Sequence, residues 1–318
     1  MKIHVKSPAR LHLGLIDLNG DLGRIFGGLG VAIDRPNVIL ETQESSTLKV
    51  MGEKTELTKK LAAKFLEALA IKEKVAINVK EVIPEHIGLG SGTQLALAVS
   101  SSIARLFNLK GSPHEFAIIL GRMAQSGVGT AVFAQGGLVV DGGKNTQDQE
   151  HKIIPLVCRL PFPSDWRFVV AIPNEKKGLA NEIEDLAFDK LTPMPTNDVG
   201  KICRLIMMKL LPAVVEKDIA SFGKALTKIQ NIVGDSFMEA QGGRYSSSIT
   251  GQCVEFMLQN GAYGSGQSSW GPAVYGVVHN NKAKDLQVKT RCFLNKSAGG
   301  YVFVAKANNR GAIIKVIR

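Results

Sequence analysis

The chain has 318 residues, of which 45% are hydrophobic and 21% are charged, a composition that is typical of a folded globular protein and excludes a largely disordered one. The formal net charge of +11 favours a polyphosphate ligand or nucleic acid, and it also fits a solvated basic surface without a special partner. No apolar run approaches the roughly 18 residues that span a bilayer, and the first residues lack a signal-peptide core, so we expect a cytoplasmic protein without membrane contact.

The four cysteines are scattered along the chain, at positions 158, 203, 253 and 292, and form no Cys-x-x-Cys pair. This spacing argues against a zinc site and against a disulfide framework, and it predicts reduced, partly buried thiols.

The first half of the chain predicts strands, a glycine loop and helices. Residues 1–50 alternate polar and apolar side chains and predict strands with a tight turn at Asn19, Gly20 and Asp21. Breaker-free segments with apolar residues at helical spacing predict helices over 54–70, 93–109 and 113–125, and a strand is expected over 75–84.

A stretch that is first polar and then proline-rich, residues 144–166, predicts a domain boundary near 155–165, which divides the chain into residues 1–160 and 161–318. The second half predicts a strand over 167–173, a glycine and serine loop over 262–272, two final strands around the turn at 308–311, and helices over 197–211, 215–233 and 246–260. The fold class is therefore α+β, in two parts.

A glycine-rich loop with the sequence PEHIGLGSGTQ, residues 84–94, lies between a predicted strand and a predicted helix. Glycines let the backbone bend around an anion, and the N-terminus of the following helix offers unpaired N–H groups and a partial positive charge. We predict that the loop binds phosphate through Gly88, Gly90, Ser91, Gly92 and Thr93. It lacks the lysine of a P-loop, and a turn that merely joins strand to helix is the structural alternative.

Three motifs in this order resemble the GHMP superfamily, which contains galactokinase, homoserine kinase and mevalonate kinase. They are SPARLHLGLIDL at 7–18, the loop at 84–94, and AYGSGQSSWGP at 262–272. The resemblance covers nearly the whole chain. It implies the two-domain GHMP kinase fold, with an N-terminal domain that resembles a ribosomal protein and a C-terminal ferredoxin-like α/β sandwich. In that superfamily the loop wraps the phosphates of a nucleotide.

The segment SGVGTAVFAQGG, residues 126–137, has Gly129 where mevalonate-kinase-like members have a catalytic aspartate. Glycine has no side chain that could act on a substrate hydroxyl. Homoserine kinases also manage without this base, so the substitution lowers the probability of a kinase and leaves an ATP-dependent small-molecule kinase as the alternative function.

A closer resemblance combines RLHLGLIDLNGDLGR with SGVGTAVF and GSGQSSWGP, and it is to the β-ribofuranosylaminobenzene 5′-phosphate synthase family. It implies a decarboxylating transfer of the sugar of phosphoribosyl pyrophosphate to a 4-substituted benzoate, the first step of the pterin branch of methanopterin biosynthesis. It also implies Mg²⁺ that arrives with the pyrophosphate, and it suggests a homodimer. Members often have Glu where this chain has Ala134 or Gln135, which puts a carboxylate role in this stretch in question.

The residues expected to act follow from these motifs. Arg10, His12, Asp17 and Arg24 are the candidate catalytic residues, and Arg10 and His12 share one face of an alternating strand. Asp17 and Asp141 could hold Mg²⁺ or a ribose hydroxyl, or could cap turns. The candidate substrate-binding residues are Ser126, Gly127, Gly129, Thr130, Gly266, Gln267, Ser268, Ser269 and Trp270.

The sequence leaves two points open. The acceptor could be 4-hydroxybenzoate or 4-aminobenzoate, because no residue can be assigned to the position that differs. RNA binding is a third, non-enzymatic alternative, but aromatic residues make up only 6% of the chain and the basic residues are dispersed, so we expect no nucleic-acid partner.

Overall fold

The first of two sheets is built mainly by the N-terminal half of the chain. The computed structural model describes residues 1–122, 125–147, 153–175, 188 and 191–317. The strands of this sheet are β1 (Lys2–Asp17), β2 (Arg24–Ser45), β3 (Lys49–Gly52), β4 (Lys74–Glu81), β5 (Leu138–Asp141), β6 (Lys144–Asn145), β7 (Leu156–Leu160) and β12 (Ile313–Ile317). Their main path runs β12-β1-β2-β4-β3, and the pairs are antiparallel except for β3 with β4.

Four helices accompany the first sheet: α1 (Thr55–Ala68), α2 (Ser91–Leu106), α3 (Pro113–Ile119) and α4 (Val128–Gln135). Helix α2 packs against β1 and β2, and it is buried on nearly all sides from Gln94 to Ala104, because small and apolar residues follow one another there. Its first turn consequently sits at one end of the buried layer, directly after the predicted phosphate loop.

The second sheet is formed by the C-terminal half in the order β11-β8-β10-β9, with antiparallel pairs throughout. Its strands are β8 (Trp166–Pro173), β9 (Gly264–Gln267), β10 (Val274–His279) and β11 (Gly300–Ala305). The helices are α5 (Thr196–Leu205), a π-helical turn (Ile206–Leu210), α6 (Leu211–Glu216), α7 (Ile219–Ser236), α8 (Met238–Gln241), α9 (Ser248–Gln259) and α10 (Asn280–Asn295).

The two halves share one hydrophobic core that includes Ile3 and Leu11 from the first sheet and Phe222 from helix α7. The second half contributes an aromatic cluster to this core, in which the ring of Phe162 lies 5.3 Å from that of Trp166 and 5.4 Å from that of Phe222. Burial of such rings contributes both area and specific edge-to-face geometry.

The final strand departs from the predicted division at residue 160. Strand β12 pairs with β1, with Lys2 opposite Ile317, and a bridge joins Ile33 to Ala307. The last residues therefore return to the first sheet, where they satisfy the outer edge of β1. The two final strands are present as predicted, with a turn at Asn308, but they do not form a hairpin because β11 pairs with β8 instead.

Candidate active site

A cavity of about 560 Å³ opens between walls from both halves of the chain. The first half contributes β1, the loop before α2, and the residues around α4. The second half contributes the end of α7, the segment around Arg244, and the loop that follows β9. The lining includes Arg10, His12, Gly14, Glu85, Gly88, Gly90, Ser91, Gly92, Thr93, Arg122, Ser126, Gly129, Phe188, Gln230, Phe237, Arg244, Gln267, Ser269 and Trp270.

The predicted phosphate loop lies in this wall. Gly88 and Gly90 have φ angles of +83° and +82°, which L side chains rarely adopt. A Cβ on Gly88 would sit 2.1 Å from the carbonyl oxygen of Ser268, so the loop packs directly against the other half of the chain. Gly90 is the N-cap of α2 and supplies no side-chain cap, which leaves the first N–H groups of the helix for an anion.

Two arginines stand beside this helix N-terminus. Arg10 donates from Nη1 to the carbonyl oxygen of Gly88, at 2.6 Å. The Nη1 atom of Arg122 lies 3.4 Å from the place where a Cβ on Gly92 would be. Arg122 was not a predicted site residue, and the one available signal is a basic residue just ahead of the SGVG segment. Together with the α2 dipole, these cations make this end of the cavity favourable for phosphates.

His12 lies in the wall next to these groups, as predicted, and it is neutral. Burial, helped by the positive charge of Arg10, lowers the pKa of His12 to about 3. Its backbone N–H donates to Ser268 Oγ at 2.9 Å, and that hydroxyl donates to the Gly88 carbonyl at 2.6 Å. Its Nε2 atom lies 3.4 Å from Ser126 Oγ. The histidine thus contacts the phosphate loop, the C-terminal loop and the SGVG segment.

Asp141 is the centre of a buried network behind Ser126. Its Oδ1 accepts from the N–H groups of Gly28 and Gly143, and its Oδ2 accepts from the Gly127 N–H and from Ser126 Oγ, all at 2.9–3.0 Å. Burial raises the pKa of Asp141, while the hydrogen bonds act in the opposite direction and stabilise the carboxylate. With both oxygens occupied and 1% exposure, Asp141 is a structural anchor and is not placed to hold Mg²⁺ or a ribose hydroxyl.

Gly129 lines the cavity at the start of α4, where it touches the phosphate loop. A Cβ there would lie 3.0 Å from Thr93 Cγ2, so a larger side chain would press on Thr93. Gln94 holds this contact, because its Nε2 donates to the Gly129 carbonyl at 2.8 Å. Among the described residues of the wall, no carboxylate occupies the position of the kinase aspartate.

Other predicted binding residues lie behind the surface of the cavity. Gly127 is buried and held by Asp141, Thr130 is fully buried in α4, and Gly266 packs under the side chain of Gln230. Ser268 acts through its hydrogen bonds to His12 and Gly88. These four support the wall, whereas the structure brings Ser126, Gly129, Gln267, Ser269 and Trp270 to the cavity itself.

Trp270 belongs to an aromatic wall that includes Phe237 and Phe188. The Trp270 ring lies 4.8 Å from the Phe237 ring and 5.4 Å from the Phe188 ring, in edge-to-face geometry. Trp270 is both a buried anchor and a lining residue. The two phenylalanines were not predicted, since each is an ordinary apolar residue in the sequence. Phe133, in the segment SGVGTAVFAQGG, is buried in the core.

The structure does not bring Asp17 and Arg24 into the wall of this cavity. Asp17 accepts hydrogen bonds from the backbone N–H groups of Asn19 and Gly20, at 2.6 and 2.9 Å, and so caps the turn after β1. The exposed Arg24 donates to the carbonyl oxygens of Gly142 and Gly143. Both side chains are engaged in hydrogen bonds to backbone atoms, which a single sequence cannot distinguish from ligand binding.

The described residues of the cavity do not supply a donor set that fits a resident divalent cation. No group of three or more His, Cys, Asp or Glu side chains with metal-binding geometry occurs among the described residues. Glu85 is the acidic residue that the described wall presents, and it pairs with Lys54 at 2.5 Å. Mg²⁺ prefers carboxylate and phosphate oxygens, so in this cavity its ligands would come from a substrate.

The described helices include none that is long and apolar enough to cross a membrane.

The model of the GHMP kinases N terminal domain matches residues 56–137, and that of the GHMP kinases C terminal region matches residues 210–295. A solved homoserine kinase from Cytophaga hutchinsonii has a TM-score of 0.69 at 16% identity, over 99% of this chain and 97% of its own. These matches confirm the predicted fold: the chain is a GHMP-kinase-fold protein.

Two curated relatives are similar to the chain over its length. One from Archaeoglobus fulgidus is 39% identical over 99% of this chain and 100% of its own, and one from Methanothermobacter thermautotrophicus is 31% identical over 99% of each. Both are named beta-ribofuranosylphenol 5′-phosphate synthase. The chain belongs to the beta-ribofuranosylphenol 5′-phosphate synthase family, and it is therefore an enzyme of the transferase type that acts on small molecules. This confirms the resemblance and the enzyme class that the motifs indicated.

Proposed function

We propose that the chain transfers the 5-phosphoribosyl group of phosphoribosyl pyrophosphate to 4-hydroxybenzoate and releases CO₂ and pyrophosphate. The name of both relatives describes a ribofuranosyl phenol with a 5′-phosphate. A phenol is what remains of 4-hydroxybenzoate after loss of its carboxylate, so the name favours this acid over 4-aminobenzoate as the acceptor. The reaction would be the first step of the pterin branch of methanopterin biosynthesis, as the family resemblance implies.

The observation that carries this proposal is a phosphate site without a carboxylate base at the position of Gly129. The uncapped start of α2 and the side chains of Arg10 and Arg122 favour bound phosphates. The same wall contains Gly129, which has no side chain, and a Cβ at this position would contact Thr93. Phosphorylation of an alcohol profits from a base at the hydroxyl, whereas ribosyl transfer needs stabilisation of a departing pyrophosphate.

The proposed chemistry balances without a proton acceptor at the sugar. The bond from the anomeric carbon to pyrophosphate breaks, and the pyrophosphate leaves with the electron pair. The ring carbon that bears the carboxylate forms a bond to the anomeric carbon. The bond to the carboxylate then breaks, CO₂ leaves, and its electron pair restores the aromatic ring. The N–H groups at the start of α2, with Arg10 and Arg122, would hold the charge that develops on the pyrophosphate.

The aromatic wall would receive the ring of the acceptor. Trp270, Phe237 and Phe188 line the same cavity as the phosphate loop, and flat apolar surfaces exclude water and stack on aromatic rings. Exclusion of water matters here, because water would compete with the ring for the positive anomeric carbon.

We propose further that Mg²⁺ enters bound to the pyrophosphate of the substrate. The described wall offers too few oxygen ligands to hold it alone, and substrate phosphates commonly supply most of the ligands of this ion. A homodimer remains a prediction from the resemblance, which light scattering would test.

The test is an incubation of the purified protein with phosphoribosyl pyrophosphate, Mg²⁺ and carboxyl-labelled 4-hydroxybenzoate. We expect release of labelled CO₂ that depends on both substrates, and a slower release from carboxyl-labelled 4-aminobenzoate. Parallel incubations with ATP in place of phosphoribosyl pyrophosphate should show no release. If folded protein releases no CO₂ from either acid but transfers phosphate from ATP to an alcohol, the kinase alternative replaces this proposal.

A further inference from the structure

His12 has two ring nitrogens in different surroundings. Nε2 lies 3.4 Å from Ser126 Oγ. Nδ1 has no hydrogen-bond partner among the described residues. It is also not one of the fully buried polar atoms, so part of its surface is exposed. Nδ1 therefore opens onto the cavity that His12 lines. The question is which chemical group this nitrogen can receive.

The network behind the histidine fixes its tautomer. The Ser126 hydroxyl donates its one proton to Asp141 Oδ2, at 3.0 Å, and its oxygen accepts from the Val128 N–H at 3.1 Å. Asp141 accepts three further bonds from backbone N–H groups, a pattern that suits a carboxylate and not a carboxylic acid. Ser126 can then only accept from His12, so the proton of the imidazole lies on Nε2 and Nδ1 keeps a bare lone pair.

An unprotonated ring nitrogen can accept a hydrogen bond but cannot donate one. It repels the oxygens of phosphate, pyrophosphate and carboxylate, all of which need donors, and it requires an O–H or N–H group on the substrate. The proposed reactants offer such groups on the ribose and on the acceptor. The acceptor is favoured because its hydroxyl becomes more acidic as the ring attacks, so a hydrogen bond to that group strengthens on the way to the transition state.

We propose that Nδ1 of His12 accepts a hydrogen bond from the 4-hydroxyl group of the acceptor, and that Ser126 and Asp141 are positioning residues that set the required tautomer. The inference rests on the proposed function for the identity of the acceptor. It gives the cavity a recognition group for the one position at which 4-hydroxybenzoate differs from unsubstituted benzoate. No covalent step passes through the histidine.

Binding of 4-hydroxybenzoate and of 4-fluorobenzoate, which is nearly equal in size but cannot donate, tests the proposal without turnover. Calorimetry should show that the natural protein prefers the hydroxyl ligand by about three- to tenfold, as one hydrogen bond would give. In His12→Phe the ratio should fall to about one. His12→Asn, which keeps an acceptor oxygen near the Nδ1 position, should retain part of the preference. His4→Phe, on the same strand but outside the cavity wall, is the matched control and should keep the full ratio.

Nitrogen NMR of the histidine-labelled natural protein gives a second readout, which does not depend on whether a variant folds. We expect the His12 ring as the Nε2–H tautomer, with an Nδ1 signal that shifts on addition of 4-hydroxybenzoate and not of 4-fluorobenzoate. Ser126→Ala should yield a mixture of tautomers. An Nδ1–H tautomer in the natural protein, or equal loss of both ligands in His12→Phe, would overturn the inference. Failure of the proposed function would appear separately, as absence of CO₂ release by protein that binds the acids.

Discussion

At the scale of single residues, the site depends on groups that burial forces into one state. His12 is 8% exposed and lies beside Arg10, so protonation would place a second positive charge in a poorly solvated position. Asp141 is even more deeply buried, at 1% exposure, but has four hydrogen-bond donors around it. His12 is therefore neutral and able to accept a hydrogen bond. Asp141 instead anchors the backbone at Gly28, Gly127 and Gly143.

The lowered pKa of His12 predicts a pH-dependent stability. Between the ordinary pKa of about 6.5 and the folded value of about 3, the unfolded chain binds a proton at this residue and the folded chain does not. Stability is therefore complete above about 6.5 and falls as the pH falls, by about 1.4 kcal/mol per pH unit from this group. Urea unfolding at about pH 7 and about pH 5 measures the free energy of unfolding at each pH. The decrease from the higher to the lower pH should be smaller in His12→Gln than in the natural protein. Parallel losses would contradict the assigned pKa shift.

Gly28 predicts a steric effect at the same network. A Cβ at this position would lie 2.5 Å from Ser126 Oγ and 2.6 Å from Asp141 Oδ2, so Gly28→Ala should destabilise the fold by about 3 kcal/mol. Gly200 in α5 has no atom within 4 Å of the corresponding position, and Gly200→Ala should stabilise by about 0.5–1 kcal/mol. Thermal unfolding measures the change in stability of each variant. A similar change for both substitutions would contradict the prediction.

Local sequence predicted some of these residues and not others. Arg10 and His12 could be predicted to share a face because strand alternation fixes their parity, and the structure places both in the cavity wall. Arg122 and Phe237 could not, since their position depends on how distant elements pack. Asp17 and Arg24 have the residue types of a catalytic site, but their hydrogen bonds to nearby backbone become visible only in three dimensions.

At the scale of elements, helix α2 has a buried body and an open N-terminus. Gly90 begins it without a side-chain cap, and the cavity faces its first turn. A helix that leaves its first N–H groups unpaired loses a stabilising cap, and an anion at this point would restore it. Sequence predicted this element well, because a strand, a glycine loop and a helix follow one another without interruption.

The anion site predicts a role for Arg122 in pyrophosphate binding. Arg122→Gln should weaken binding of Mg²⁺–pyrophosphate about tenfold or more, because a charge-assisted hydrogen bond is lost. Arg105→Gln, at the exposed last turn of the same helix, should leave the affinity unchanged. Calorimetry at two salt concentrations would check this, and the effect should shrink at high salt. Equal affinity of Arg122→Gln and the natural protein would exclude Arg122 from the site.

Elements near the C-terminus show why pattern alone falls short. Helix α10 was not predicted, because its buried stripe is narrow and the rest of its surface is polar. Strands β11 and β12 were predicted on either side of the turn at 308–311, and that turn is present at Asn308. Their partners lie in different sheets, however, and pairing over such sequence distances leaves no local signal.

At the scale of the whole molecule, Gln230 of α7 joins the two halves in the wall of the cavity. Its Nε2 donates to the Leu13 carbonyl in β1 at 2.7 Å, and its Oε1 accepts from the Gln267 N–H in β9 at 2.9 Å. Because both backbone groups are buried, no solvent replaces the bonds when the side chain is removed. The glutamine thus connects strand β1 of the first half to strand β9 of the second half.

Gln230→Met should leave the Leu13 carbonyl and the Gln267 N–H without partners, and it should destabilise the fold by about 2–4 kcal/mol. The exposed Gln252 in α9 is the matched control, since Gln252→Met should change stability by no more than about 0.5 kcal/mol. Urea unfolding measures both. Equal stabilities of the two variants would show that the halves do not depend on this contact.

The overall architecture was predictable to the level of family and fold, because three motifs in this order along the chain are distinctive. The division of the chain at residue 160 was less so, since the edge of β1 recruits β12 from the far end of the sequence. The cavity itself could not be predicted in detail. Its walls come from segments as distant as Arg10 and Trp270, and only packing brings them together.

The central claim is that the phosphate loop serves ribosyl transfer and not phosphoryl transfer. The most direct measurement is the stoichiometry of products from phosphoribosyl pyrophosphate and 4-hydroxybenzoate, with mass spectrometry of the sugar product. We predict one CO₂ and one pyrophosphate for each ribosyl phenol 5-phosphate formed. Pyrophosphate release with retention of the carboxylate in the product, or turnover that requires ATP, would contradict the account.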